Sequence, residues 1–216
     1  MPDTAPFLVS LRLAASTVAV LLFCAVPLAY FLAFTQSRFK PLFESIVSLP
    51  IALPPTVVGF YCLYAFGRGS IVGAWLQDMF DISLVFSFSG LVLGSVVYSL
   101  PFMVQPVKSS FEAIPHELLD SARLDGATRL QIFLWVLLPL ARRGVLVGCT
   151  LTFVHALGEF GVVMMIGGNI AGETRTASIA LYDAVQALEY GTAHVYALSL
   201  LGGAFLLSLP IFWRWR

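Results

Sequence analysis

The chain has 216 residues, of which 59% are hydrophobic and 11% charged, with equal numbers of basic and acidic side chains. Soluble domains carry about 25% charged residues, so an ordinary water-facing globule is excluded, and the balanced charge argues against a nucleic-acid footprint or an acidic tail. Cys24, Cys62 and Cys149 each stand alone in an apolar run; without CxxC partners they predict buried thiols, not disulfides or a zinc site.

In chain order, five stretches reach the ~20 apolar residues a helix needs to cross a bilayer: 13–34, 45–66, 82–107, 144–166 and 190–213. Glu159 is the one acid among them. The expectation is an all-α polytopic membrane protein with five transmembrane helices in a single domain, 1–216. The first stretch follows a flank, Met1 to Ser10, without basic residues and is longer than a signal-peptide core, so it is expected to stay as a helix. Nine of the twelve Lys and Arg fall on one side of this alternation: Arg38, Lys40, Lys108, Arg123, Arg129, Arg142, Arg143, Arg214 and Arg216. Arg12, Arg68 and Arg175 fall on the other. By the positive-inside rule the N-terminus is outside and the C-terminus cytoplasmic. Residues 169–189 carry four charges and read as an exposed loop and surface helix.

The second stretch contains Pro50, Pro54 and Pro55, which remove backbone donors and disfavour helix at the preceding residues. It reads as a broken helix. Freed carbonyls at membrane depth survive only when buried in protein or facing a water-filled cavity, so the break either lines a pathway or shapes packing. Gly90/Gly94 and Gly144/Gly148 have the spacing of close helix contacts. Glu159 lies in Gly158-Glu-Phe-Gly161, one turn after His155. It either pairs with His155 or an arginine to hold a bend, or lines a conduit.

The segment 112–139 is too polar to cross. Pro115 suits a helix start, Glu117–Leu124 forms a short amphipathic helix, Gly126 suits a left-handed cap, and Thr128 with Gln131 fits a capping box opening a second helix. It is an interfacial helix or a docking element for a cytoplasmic partner. The two lysines, Lys40 and Lys108, lie outside any GxxxxGK[S/T] loop, so no phosphate-cradling loop is present. No HExxH or GxSxG occurs either, which argues against a membrane-embedded enzyme. An ion-coupled secondary transporter is the rival of another class, but only one broken stretch and no clear internal repeat are visible.

Asp120-Ser121-Ala122, Gly126 and Val136-Leu-Leu138-Pro139 resemble the permease motif of ABC importers: Glu-Ala-Ala, three residues, Gly, nine residues, Ile-x-Leu-Pro. Asp120, Ser121 and Val136 depart from it, which weakens any separate role for residue 120. Leu53-Pro54-Pro55-Thr56-Val-Val-Gly59, Leu157-Gly-Glu159-Phe-Gly161 and the 168–176 stretch resemble molybdate permeases, with tungstate and sulfate permeases sharing parts. The resemblance implies a type I importer permease in a bacterial inner membrane. Its partners would be a second permease copy, a cytoplasmic ATP-binding subunit, a periplasmic or lipid-anchored molybdate-binding protein and membrane lipid, with no nucleic acid. ATP and Mg would sit on the partner subunit, and no cofactor on this chain. Glu117, Asp120, Ser121, Ala122, Gly126, Leu138 and Pro139 would couple to the ATPase. Pro54, Pro55, Thr56, Gly59 and Glu159 are pathway or gate candidates, and Asn169, Arg175 and Thr176 belong to the external loop. A bare carboxylate would repel an anion, which favours the hinge reading of Glu159.

Overall fold

The computed structural model describes residues 3–213; Arg214 and Arg216, counted above among the basic residues, lie outside them. Among the described residues the regular structure is helical. Its elements are α1 (Ala5–Phe34), α2 (Lys40–Ala52), α3 (Pro55–Phe66), α4 (Ile71–Phe80), α5 (Phe88–Glu112), α6 (His116–Leu124), α7 (Arg129–Leu140), α8 (Arg142–Gly158), α9 (Gly161–Gly167), α10 (Ala177–Gln186) and α11 (Tyr190–Trp213). Within α7, Ile132–Leu137 is π-wound, just where Pro139 lacks the N–H that would close an α turn on Trp135.

Three helices, α1, α5 and α11, are long and apolar enough to cross a membrane, and five crossings result if each of two bent pairs counts as one. One pair is α2 with α3, bent by 111°, and the other is α7 with α8, bent by 71°. The first bend sits where the prolines place it. Leu53 and Pro54 are extended, and Pro55 opens α3 at its first turn, where a missing N–H costs nothing. At 111° the two halves are separate helices, not one kinked rod.

The expected fourth stretch, 144–166, is not one helix. It ends at Gly158, runs extended through Glu159 (φ −64°, ψ 131°) and restarts at Gly161. The first stretch is longer than expected: α1 begins at Ala5, with Pro6 in its first turn and its early residues Val9 and Ser10 already buried. Cys62 is buried, but Cys149 is only partly so and Cys24 is exposed on α1, which corrects the expectation of three buried thiols.

The core has two main parts. At the basic end, α1, α5, α7 and α8 enclose Leu21, Ala29, Met103, Val107, Phe111 and Leu137. At the far end, α9 is wrapped by α3 and α5, burying Val58, Leu91, Val162, Val163 and Ile166. Gly148 brings α8 onto α5, because a Cβ there would stand 2.9 Å from Met103 Sδ. Gly90 does not serve helix packing. It faces the Leu84 carbonyl in the turn that opens α5.

Residues 169–189 differ most from expectation. Thr174, Thr176, Ala177 and Ile179 are all but inaccessible, and α10 packs on α11 and α1. The Ala177 N–H donates to Ser10 Oγ at 2.9 Å, and Tyr196 Oη donates to the Asp3 carbonyl at 2.9 Å. The segment is folded into the bundle; of the four charges that suggested a surface helix, Arg175 and Asp183 meet at its rim, while Glu173 and Glu189 are exposed.

Candidate functional site

The break after α8 is held from both sides. Ser95, on α5, donates to Glu159 Oε2 at 2.7 Å, and Ser178, on α10, donates to the Glu159 backbone carbonyl at 2.5 Å. Glu159 is 4% exposed. A carbonyl freed by a helix break inside the bundle needs such a donor, and Ser178 supplies it. His155 does not pair with Glu159. Its ring stacks on Phe102 (centroids 4.0 Å apart) and lies against Tyr98 (4.9 Å). Glu159 Oε1 and His155 Nε2 have no hydrogen-bond partner among the described residues.

The proline break of α2 and α3 meets this second break directly. A Cβ on Gly161 would stand 2.7 Å from Pro55 Cβ, and one on Gly59 would stand 2.8 Å from Met165 Cβ. Across α9, a Cβ on Gly94 would stand 2.9 Å from Val162 Cγ1. Glycines on α3 and α5 thus let backbones close on α9 from two sides. Pro54 and Thr56 are exposed beside this contact, whereas Gly59 is buried.

At the far end, Arg175 Nε donates to Asn169 Oδ1 at 2.6 Å, and Asn169 Nδ2 donates to both carboxylate oxygens of Asp183, at 3.1 and 2.9 Å. Arg175 and Asp183 also approach to 3.6 Å. Thr176 caps α10 by accepting from the Ile179 N–H. Nearby, Phe86 has left-handed φ (59°), and its N–H donates to the Ile166 carbonyl at 2.9 Å, tying the chain before α5 to the last turn of α9.

The helix–turn–helix at the basic end forms much as its residues dictate. Pro115 is the N-cap of α6 and not its first helical residue as expected, so the helix opens one position later, at His116. Gly126 has φ +81°, a conformation that costs other L-residues about 1–2 kcal/mol. Thr128 and Gln131 make both bonds of the capping box, at 3.3 and 2.8 Å. Leu119 alone anchors α6 in the core, joined by a half-buried Ala122. Glu117, Leu118, Asp120, Ser121 and Leu124 face outward, with Leu124 89% exposed. Asp120 is paired with Arg123 at 2.8 Å. Leu138 is half-buried and Pro139 exposed at the end of α7.

One feature of this end escaped the sequence reading. Both lysines are engaged in a single cluster: Lys108 Nζ lies 2.6 Å from Glu44 and 3.4 Å from Glu112, and Lys40 Nζ lies 3.5 Å from Glu112. Gln105 also donates to Ser48 Oγ at 2.8 Å. Together they fasten α2 to the end of α5. Lys108 and Glu112, one helical turn apart, were the visible hint; Glu44 was not.

The molecule brings the Pro55–Gly59 segment and Glu159 together around α9. The exposed face of α6 stands apart from them, linked through α7 and the 17-residue α8, about 25 Å long. Such an arrangement, with helix breaks buried in a bundle of membrane-length helices and an exposed helix pair at one end, is that of a polytopic membrane protein. Residues 25–214 match the family described as binding-protein-dependent transport system inner membrane component, and the chain belongs to that family. It is 44% identical over 209 residues to the molybdenum transport system permease protein ModB of Azotobacter vinelandii, covering 97% of this chain and 91% of that one. With ModB of Escherichia coli (strain K12) it shares 38% identity over 205 residues, 92% and 88% of the two chains. The fold aligns with a chain of the inward-facing MetNI methionine ABC transporter at a TM-score of 0.73 and 16% identity, over 95% of this chain and 91% of that chain. Membership implies an ATP-binding subunit and a periplasmic binding protein as partners, and a multi-pass inner-membrane location.

Proposed function

We propose that this chain is the permease subunit of a molybdate importer, working as a pair of copies with an ATP-hydrolysing subunit on the cytoplasmic side. The observation that carries the reading is 44% identity to a molybdenum permease across 97% of the chain. In this reading the N-terminus lies outside and the C-terminus inside, as the basic residues indicate. ATP and Mg belong to the partner, and this chain catalyses no bond-making step.

The outward face of α6, with Glu117, Leu118, Asp120, Ser121 and Leu124, docks on the ATP-binding subunit. Exposed leucines on a short helix held by one buried leucine are costly in water and become favourable once covered. Gly126 sets the angle between α6 and α7, and Leu138 with Pro139 passes movement of that pair into α8. Movement of α8 bears on Glu159 and α9, and so on the Pro54, Pro55, Thr56 and Gly59 contact. Transport requires that ATP bind one arrangement of the pair more tightly than the other. Glu159 acts as a positioning residue at the break, with both its side chain and its carbonyl committed to serines. The far-end network of Asn169, Arg175 and Thr176 holds the surface that receives the oxyanion from its binding protein.

Purification of the tagged chain from its native membrane tests the assignment. It should bring down a nucleotide-hydrolysing subunit and bind an external protein loaded with molybdate. Recovery of the chain alone, with uptake driven by a proton gradient, would establish the secondary-transporter reading instead.

A further inference from the structure

The elbow between α7 and α8 encloses a groove of about 560 Å³ that opens on the outside of the bundle. Phe133, Leu134 and Leu138 of α7 form its roof, Val145 and Leu146 of α8 one wall, and Leu22, Phe23, Val26 and Pro27 of α1 the other. Its walls belong to membrane-crossing helices, and although Val26 is buried, other wall side chains are left uncovered: Phe23 is 85% exposed and Leu146 56%. The groove is thus continuous with the surface that faces hydrocarbon. Two irregularities border it. Pro27 lies within α1, and α7 is π-wound through Ile132–Leu137 before the chain turns by 71°.

At the mouth of this apolar groove stands one charged side chain, Arg142. It is exposed, and its guanidinium has no ion pair or hydrogen bond among the described residues. A cation at the level of the basic end, above a slot that takes only hydrocarbon, complements a molecule with an anionic head and an apolar tail.

We propose that this groove binds an anionic phospholipid, with one acyl chain between α1 and α8 under α7 and the phosphate on Arg142. The site lies at the joint between the α6–α7 pair and α8, so its occupant braces that joint. A second copy of the chain is a poorer fit, since a protein partner would leave the Arg142 charge against an apolar lining that offers it no anion.

The test uses the full chain reconstituted in vesicles of equal parts phosphatidylglycerol and phosphatidylcholine with matched acyl chains, then extracted gently and weighed intact with its retained lipids. The wild type should retain phosphatidylglycerol about fivefold over phosphatidylcholine, the factor one basic side chain contributes at an anionic surface. Arg142→Gln should abolish the preference and Arg142→Lys keep it. Arg38→Gln, which removes a basic residue outside the groove, should leave it unchanged. Leu146→Trp, or Leu22→Trp on the opposite wall, should fill the slot and lower retention of both lipids. Equal retention of the two lipids by the wild type would overturn the proposal. So would an unchanged preference in Arg142→Gln, or efficient disulfide crosslinking between copies through Leu146→Cys.

Discussion

Ser95 and Glu159, 64 positions apart in the chain, meet in a buried hydrogen bond of 2.7 Å that closes the gap where α8 stops and α9 has yet to begin. The pairing makes the acid part of the scaffold at the break. Replacement of Glu159 by Gln keeps an oxygen for Ser95, so folding and uptake should stay near wild type. Glu159→Leu leaves the Ser95 hydroxyl buried without its acceptor, at a cost of about 1–3 kcal/mol, and should lower the unfolding midpoint of the purified protein. Lost uptake in the Gln variant at unchanged stability would give the carboxylate a direct role in the conduit.

The clamp on α9 depends on the absence of side chains. Gly59→Val and Gly94→Val each push atoms into contacts already at 2.8–2.9 Å for a single Cβ. Overpacking of this kind costs roughly 1–3 kcal/mol. Each variant should unfold at lower temperature and transport more slowly. Gly69→Val, whose Cβ meets nothing within 4 Å, is the control and should behave as wild type.

The cluster of Lys40, Glu44, Lys108 and Glu112 is partly solvated, with side-chain exposures of 17–39%. A double-mutant cycle on Lys108→Met and Glu44→Gln should therefore give a coupling of about 0.2–1 kcal/mol, shrinking as salt is raised. A coupling insensitive to salt would mean that α2 is held to α5 chiefly by its other contacts.

What could be read in advance follows from the range of each interaction. The apolar runs, the proline break, the left-handed Gly126 and the capping box at Thr128 are set by residues within a few positions of one another. Helix breaks bridged over long separations are not. Nothing near Glu159 announces Ser95 or Ser178, and its neighbour His155 suggested a partner that the fold turns toward Phe102 instead. The burial of α10 was hidden for the same reason. Arg175 and Asp183 look like surface charges until Asn169 is seen between them. Resemblance to molybdate permeases drew attention to Pro54–Gly59 and Glu159 as separate stretches; that they converge around α9 is visible only in three dimensions.

The most direct measurement is molybdate uptake into vesicles holding the chain, its ATP-binding subunit and the external binding protein, compared between wild type and Gly126→Val. A Cβ added at Gly126 meets no atom within 4 Å, so the main penalty for valine comes from its φ of +81°. Uptake by the wild type should require ATP inside the vesicle and collapse in the valine variant, while the variant's bundle unfolds near the wild-type temperature. Undiminished ATP-driven uptake by Gly126→Val, or uptake indifferent to ATP, would contradict coupling through this turn.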